Sequence, residues 1–162
     1  MLLSRACLLV SIAATACTAA SEPDPRSAGD DLTDPELPPR GTDDLPAWLA
    51  AGYYRAWRCE PEAHEGRAPS PHGRNRICNN AALHAAAGTG PFPAGAASVK
   101  EIFDGDVKTY AVSRKLADGA GGDTWYWYEG NAEHAYGNGR GTPVCTGCHG
   151  GAARDYVFTI VP

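Results

Sequence analysis

Ala97-Ser98-Val99-Lys100-Glu101-Ile102-Phe103-Asp104-Gly105-Asp106-Val107-Lys108-Thr109-Tyr110-Ala111-Val112-Ser113-Arg114-Lys115-Leu116 reads as two strands joined at an Asp-Gly turn, the first from Ala97 to Phe103 and the second from Val107 to Leu116. Working outward, Gly-Gly and Asn-Gly signals set off two further strands, Thr124 to Glu129 and Tyr156 to Val161. Upstream, Arg74 to Asn79 reads as a short strand and Asn80 to Ala87 as a short Ala-rich helix stopped by Gly88. Asp43-Asp44-Leu45-Pro46 has the form of a helix start, followed by Leu49, Tyr53 and Trp57 as an apolar stripe at helical spacing. About five strands and two or three helices predict an α+β domain around an antiparallel sheet.

Composition agrees with this scale. The chain has 162 residues, 43% hydrophobic and 20% charged, which suits one modest domain and excludes a multidomain machine. Nineteen Gly and thirteen Pro favour turns and a linker over a helical bundle. The formal net charge of -5 is unevenly distributed. Residues 18–45 hold eight acids against Arg26 and Arg40, whereas from Pro46 onward acids and bases balance at eleven each. With no basic excess in the folded part, nucleic acid is not an expected partner.

Residues 1–17 read as an export signal: one Arg, an apolar stretch, then small residues up to Cys17. The segment is too short and too weakly flanked to span a membrane stably. Ala14-Thr15-Ala16-Cys17 resembles a bacterial lipobox, with Ala14 where Leu is usual, making Cys17 a lipidated first residue. Ordinary cleavage near Ala16 or Ala20 is the alternative. Residues 18–44, with five prolines among acids and small residues, read as a disordered tether, and residues 45–162 as the folded domain. The expected location is the periplasm or cell envelope, with membrane contact only through the lipid.

Cys145-Thr146-Gly147-Cys148-His149 is the C-x-x-C-H pattern of c-type haem attachment. Two thiols form thioethers to the porphyrin vinyl groups, and the adjacent His becomes the proximal iron ligand. A redox C-x-x-C and half of a zinc site are the alternatives; the first expects a βαβ context and the second another ligand pair. The only Met is Met1, so a His/Met electron-transfer centre is excluded in a mature chain. His64, His72, His84 and His134 remain as sixth-ligand candidates, against an open distal face. Cys59 and Cys78 form a leftover even pair, which in an exported protein predicts a disulfide; a metal site with His64 and His72 is the alternative. Trp125, Tyr126, Trp127 and Tyr128 alternate, so the tryptophans and tyrosines face opposite sides of their strand.

Three segments together resemble the cytochrome P-460 family, which includes hydroxylamine-oxidising cytochromes and the gas-binding β-type cytochromes c′. They are Phe92-Pro93-Ala94-Gly95-Ala96-Ala97-Ser98-Val99-Lys100-Glu101-Ile102, Trp125-Tyr126-Trp127-Tyr128-Glu129, and the late Cys-Thr-Gly-Cys-His followed by Asp155-Tyr156-Val157-Phe158-Thr159. The resemblance covers roughly residues 46 to 162. It implies a twisted antiparallel sheet with short helices packing around one covalent haem c. It implies that Lys100 occupies the position of the lysine that bonds to a haem meso carbon, and Arg74 that of a distal-pocket arginine, with Arg76 in the neighbouring register. Glu129 and Glu133 are the candidates for the distal carboxylate. Gly130 to Val144 reads as a Gly-rich loop, shorter than in the hydroxylamine-oxidising members.

The resulting expectation is an exported mono-haem protein that binds or oxidises small nitrogen oxides and passes electrons to an external redox partner, with a homodimer allowed. A non-catalytic binder of nitric oxide or carbon monoxide and a bis-histidine electron carrier are the alternatives.

Overall fold

The computed structural model describes residues 37–86, 88–105 and 107–162. The expected signal, Cys17 and tether residues 18–36 lie outside the described residues. Among the described residues, no helix is long and apolar enough to cross a membrane.

The fold is α+β, as expected, with one six-stranded antiparallel sheet. The strands are β1 (Arg58–Cys59), β2 (Asn75–Asn79), β3 (Ala97–Asp104), β4 (Val107–Lys115), β5 (Trp125–Gly130) and β6 (Ala135–Arg140). They lie in sequence order, each paired with its chain neighbours. Helices α1 (Leu45–Ala51), α2 (Ala81–Ala85) and α3 (Pro143–His149) complete the domain.

The alternation in β5 divides the core between the two sheet faces. Tyr126 and Tyr128 join a cluster with Val99, Val112 and Cys78 under Leu45, Trp48 and Leu49 of α1. Trp125 and Trp127 point the other way, into a cluster with Leu83 of α2, Phe92, Ala96 and Cys145 of α3. All four aromatic side chains are buried, so β5 reads as a continuous apolar run because both its faces are covered.

Several local expectations are corrected. The stripe Leu49, Tyr53, Trp57 is not one helix face. Gly52, at φ +74, ends α1, its N–H bonding the carbonyls of Trp48 and Leu49, and a 3₁₀ turn follows over Tyr53–Ala56. That tighter turn buries Tyr54 and leaves Tyr53 exposed. Tyr156 to Val161 is not a strand: it runs without ladder pairing apart from an Arg154–Val157 bridge, and the Val161 N–H is held by the Asn79 side chain. The missing strand is β6, in the stretch expected to be a Gly-rich loop. Its composition is poor for a strand, but glycine is needed there. A Cβ on Gly137 would lie 2.8 Å from Val144 Cγ1 and 3.5 Å from Cys145 Sγ, so only glycine lets α3 sit this close to the sheet. Finally, the folded part begins before residue 45: Pro38 and Pro39 are buried, Arg114 donates to the Pro38 carbonyl at 2.9 Å, and Gly41 N–H donates to Tyr126 Oη at 2.9 Å.

The expected disulfide is present. Cys59 and Cys78 are direct cross-strand partners in β1 and β2, and their bond closes the segment 59–78.

Candidate functional site

A cavity of about 370 Å3 opens on the tryptophan side of the sheet, within the range of ligand sites. Its floor comes from β2 to β5, one wall from α3, one from Phe158 and Thr159, and its lip from residues 67–72.

Helix α3 brings the C-x-x-C-H residues to this cavity. Pro143 at the first turn starts it, and positions i, i+3 and i+4 share one helical face, so Cys145, Cys148 and His149 all line the cavity. Neither cysteine is in a disulfide. Burial pushes the Cys145 thiol up to about 11, so it is protonated at neutral pH. Burial also holds His149 below its ordinary value and therefore neutral. The Nδ1 atom of His149 lies 2.7 Å from the Tyr156 carbonyl. A carbonyl only accepts, so Nδ1 carries the proton and Nε2 the lone pair, the tautomer a metal ligand needs. The ring is packed against Trp127 at 4.8 Å and Phe158 at 5.4 Å.

Lys100 faces the same cavity from β3, next to Ser98 on the face that alternation assigns to it. Burial lowers its pKa from the ordinary lysine value, against the pull of Glu129. Glu129, from β5, also lines the cavity, with Oε1 3.5 Å from His72 Nδ1. Hydrogen bonding from His72 holds the Glu129 carboxyl below its ordinary range despite partial burial. Of the two carboxylate candidates, Glu129 is in the cavity and Glu133 is exposed on the turn after β5.

Arg74 does not line the cavity. In the β2–β3 register Asn75 faces Ile102 and Ile77 faces Lys100, so Asn75 and Ile77 share the cavity side while Arg74 and Arg76 fall on the other. Arg74 is exposed, over the Phe103 ring at 5.7 Å, and Arg76 pairs with Glu101 at 3.6 Å. The arginine at the lip is Arg67, tied at 2.7 Å to buried Glu60, which also accepts from Ile77 N–H and binds His64. Spacing from Lys100 alone cannot tell which side of a strand a residue occupies.

Of the four sixth-ligand candidates only His72 lines the cavity. His64 is held by Glu60, His84 by Arg58, and His134 stacks on Tyr136. Sequence reasoning missed Arg67 at the lip and the way in which two aromatic residues hold the histidine. Trp127 and Tyr156 frame His149, one through its ring and one through its backbone carbonyl, and a backbone role leaves no side-chain signal.

The donor set fits a haem better than a bare metal ion. Among the described residues, no group of three or more His, Cys, Asp or Glu side chains is placed to hold a metal. Beside the two thiols, Val144 and Phe158 are 60% and 44% exposed, apolar surface of the kind a porphyrin edge covers. Compared with protein-family models, with curated proteins and with solved structures, the chain matches none.

Proposed function

We propose that this chain is an exported, lipid-anchored c-type haem protein of the P-460 type, with one haem c and a free axial position, acting on hydroxylamine or a related small nitrogen oxide. The observation that carries the reading is the sharing of one cavity by the C-x-x-C-H residues, Lys100 and the Glu129–His72 pair. Once attached, the haem supplies an iron with a vacant position for a small ligand and a store for single electrons.

The chain's own residues have distinct parts. Cys145 and Cys148 would hold the haem through two thioethers, each S–H adding across a vinyl group with no net change of oxidation state. His149 offers its Nε2 lone pair as the proximal ligand. Trp127 and Phe158 keep water from its ring. On the cavity side, ionised Glu129, steadied by the N–H of His72 Nδ1, would take a proton from a bound N–H or O–H. Lys100, partly desolvated and lining the cavity, is the amine that would form the lysine–haem bond the resemblance implies, a bond made with loss of the meso hydrogen and one amine hydrogen to a two-electron oxidant such as a peroxide. An external redox partner removes the electrons.

A second reading is favoured by one observation: among the described residues, no strand arginine reaches the cavity to hydrogen-bond a bound oxygen. In that case Lys100 stays unlinked and the protein is a binder of nitric oxide or carbon monoxide.

The test is expression with c-type maturation, followed by mass spectrometry of the haem peptide and optical spectra with and without added ligand, using Lys100→Leu as control. The oxidase expects a Lys100 peptide joined to haem and a strongly red-shifted ferrous Soret band. An unlinked high-spin haem that binds carbon monoxide selects the gas binder. A low-spin spectrum indifferent to ligand selects bis-histidine ligation through His72, and colourless protein overturns the haem reading.

A further inference from the structure

A buried charge with every donor satisfied lies outside the cavity, next to the turn that carries the Tyr156 carbonyl to His149. The Lys115 side chain has no solvent exposure. Its three N–H bonds go to Gly119 O, Thr124 Oγ1 and Asp155 Oδ2, each at 2.7 Å, and its Nζ lies 4.9 Å from the Trp125 ring centroid. Asp155, also buried, accepts in addition from Phe92 N–H at 2.9 Å and Trp125 Nε1 at 3.3 Å. A buried ion pair of this kind is a poor way to gain stability, because removing two charges from water offsets most of their attraction. Its location suggests another use.

Asp155 begins the tight turn that delivers the Tyr156 carbonyl to His149. Asp155 and Tyr156 both have positive φ, +37 and +67, and the turn closes with Val157 N–H on the Arg154 carbonyl at 2.8 Å. Such a pair of angles is common for glycine and asparagine, but for a tyrosine it is strained by about 1–3 kcal/mol and persists only where surrounding structure enforces it. The enforcement comes from both sides of the turn. Arg154 donates to Gly90 O at 2.8 Å and Ala86 O at 3.0 Å, and Asp155 is gripped by Lys115. The product of the strained turn is the 2.7 Å hydrogen bond from His149 Nδ1.

We infer that the buried Lys115–Asp155 ion pair is a positioning device for His149, holding the 154–157 turn so that the Tyr156 carbonyl fixes the imidazole's tautomer and orientation. The inference rests on the reading of His149 as the haem ligand. Lys115 and Asp155 touch neither ligand nor iron; they act through the turn. A carbonyl on the far nitrogen makes an imidazole a stronger donor. A loosened bond therefore weakens the iron–histidine bond and favours the ferrous state.

The experiment compares the matured wild-type protein with Asp155→Asn and with the charge-neutral Lys115→Met/Asp155→Asn double variant. Asparagine tolerates the positive φ, so the turn has a route to persist without its grip. The expected result in both variants is a lower iron–histidine stretching frequency by resonance Raman and an upward shift of the reduction potential, beyond any change in melting temperature. Variants that melt earlier yet keep both values overturn the inference and leave the pair a purely structural one. If wild-type protein is colourless, the haem reading fails. The positioning claim is then read by ¹⁵N NMR of the same full-length chain: loss of the Nδ1-protonated His149 tautomer in the variants supports it, and its retention overturns it.

Discussion

Removing the Cys59–Cys78 disulfide tests how the cavity lip is held. The bond spans a sequence separation of 19. Closing a loop of about 20 residues removes roughly 11 cal/mol/K from the unfolded chain, or about 3 kcal/mol at 25 °C. For a domain of roughly 120 residues, with an unfolding entropy near 0.25 kcal/mol/K, that corresponds to a fall in Tm of about 12 °C. The perturbation is the Cys59→Ala/Cys78→Ala double variant, which leaves Cys145 and Cys148 untouched. The assay is a calorimetric melt of variant and wild type prepared in the same way. A second effect is expected at the site, since the closed segment carries Arg67 and His72 on the lip and Glu60 beneath it. Small-ligand affinity therefore falls as well. A Tm change under about 3 °C would show that the segment stays ordered without the bond, through Glu60 and its partners alone, and would refute the reasoning.

Three further outcomes are expected. Trp125→Ala removes a fully buried ring and the Nε1 donor to Asp155, and costs about 3–5 kcal/mol by urea unfolding; a loss under about 1 kcal/mol contradicts the packing described. Glu101 is buried beneath Tyr54, Lys108, Arg55 and Arg76. Burial alone would raise its carboxyl, but the Tyr54 hydroxyl and Lys108 outweigh that and hold it below the ordinary value. Its contribution is thus complete above the unfolded-state value near 4.3 and lost as pH falls through the lower folded value. Glu101→Gln should destabilise by about 1–3 kcal/mol at pH 7 and flatten the stability profile below pH 4, as measured by denaturant midpoints; an unchanged acid limb contradicts this. Cys17→Ser is expected to release the protein from the membrane fraction, as followed by immunoblot of separated fractions, and continued membrane association rejects the lipid anchor.

The central hairpin and β5 were legible because their side chains are buried in a regular alternation, so the pattern that seals two cores is also the pattern in the sequence. Strand parity fixes the face of Lys100 and Glu129 in the same way, although the two residues were singled out by the resemblance and not by parity. What failed was set by tertiary contact. Ala135–Arg140 is a strand because β5 needs a neighbour and α3 needs Gly137, neither of which raises local propensity. Tyr156–Val161 has strand-like residues, but Asp155 and Asn79 bind it into another path. Arg74 was misplaced by one residue of parity, which moves a side chain through the whole sheet. His72 and Glu129 meet across 57 positions of sequence, and no spacing rule connects them.

The strictly sequential order of the strands bears on how the site is assembled. A polypeptide emerging N-terminus first finds the partner of each new strand in the strand just before it. Both floor and lip precede α3 in the chain, so that part of the cavity can be standing before Cys145 and Cys148 are delivered, and the wall of Phe158 and Thr159 is added after them. On the proposed reading, a haem would then be received on a floor and lip already folded rather than on a slack chain.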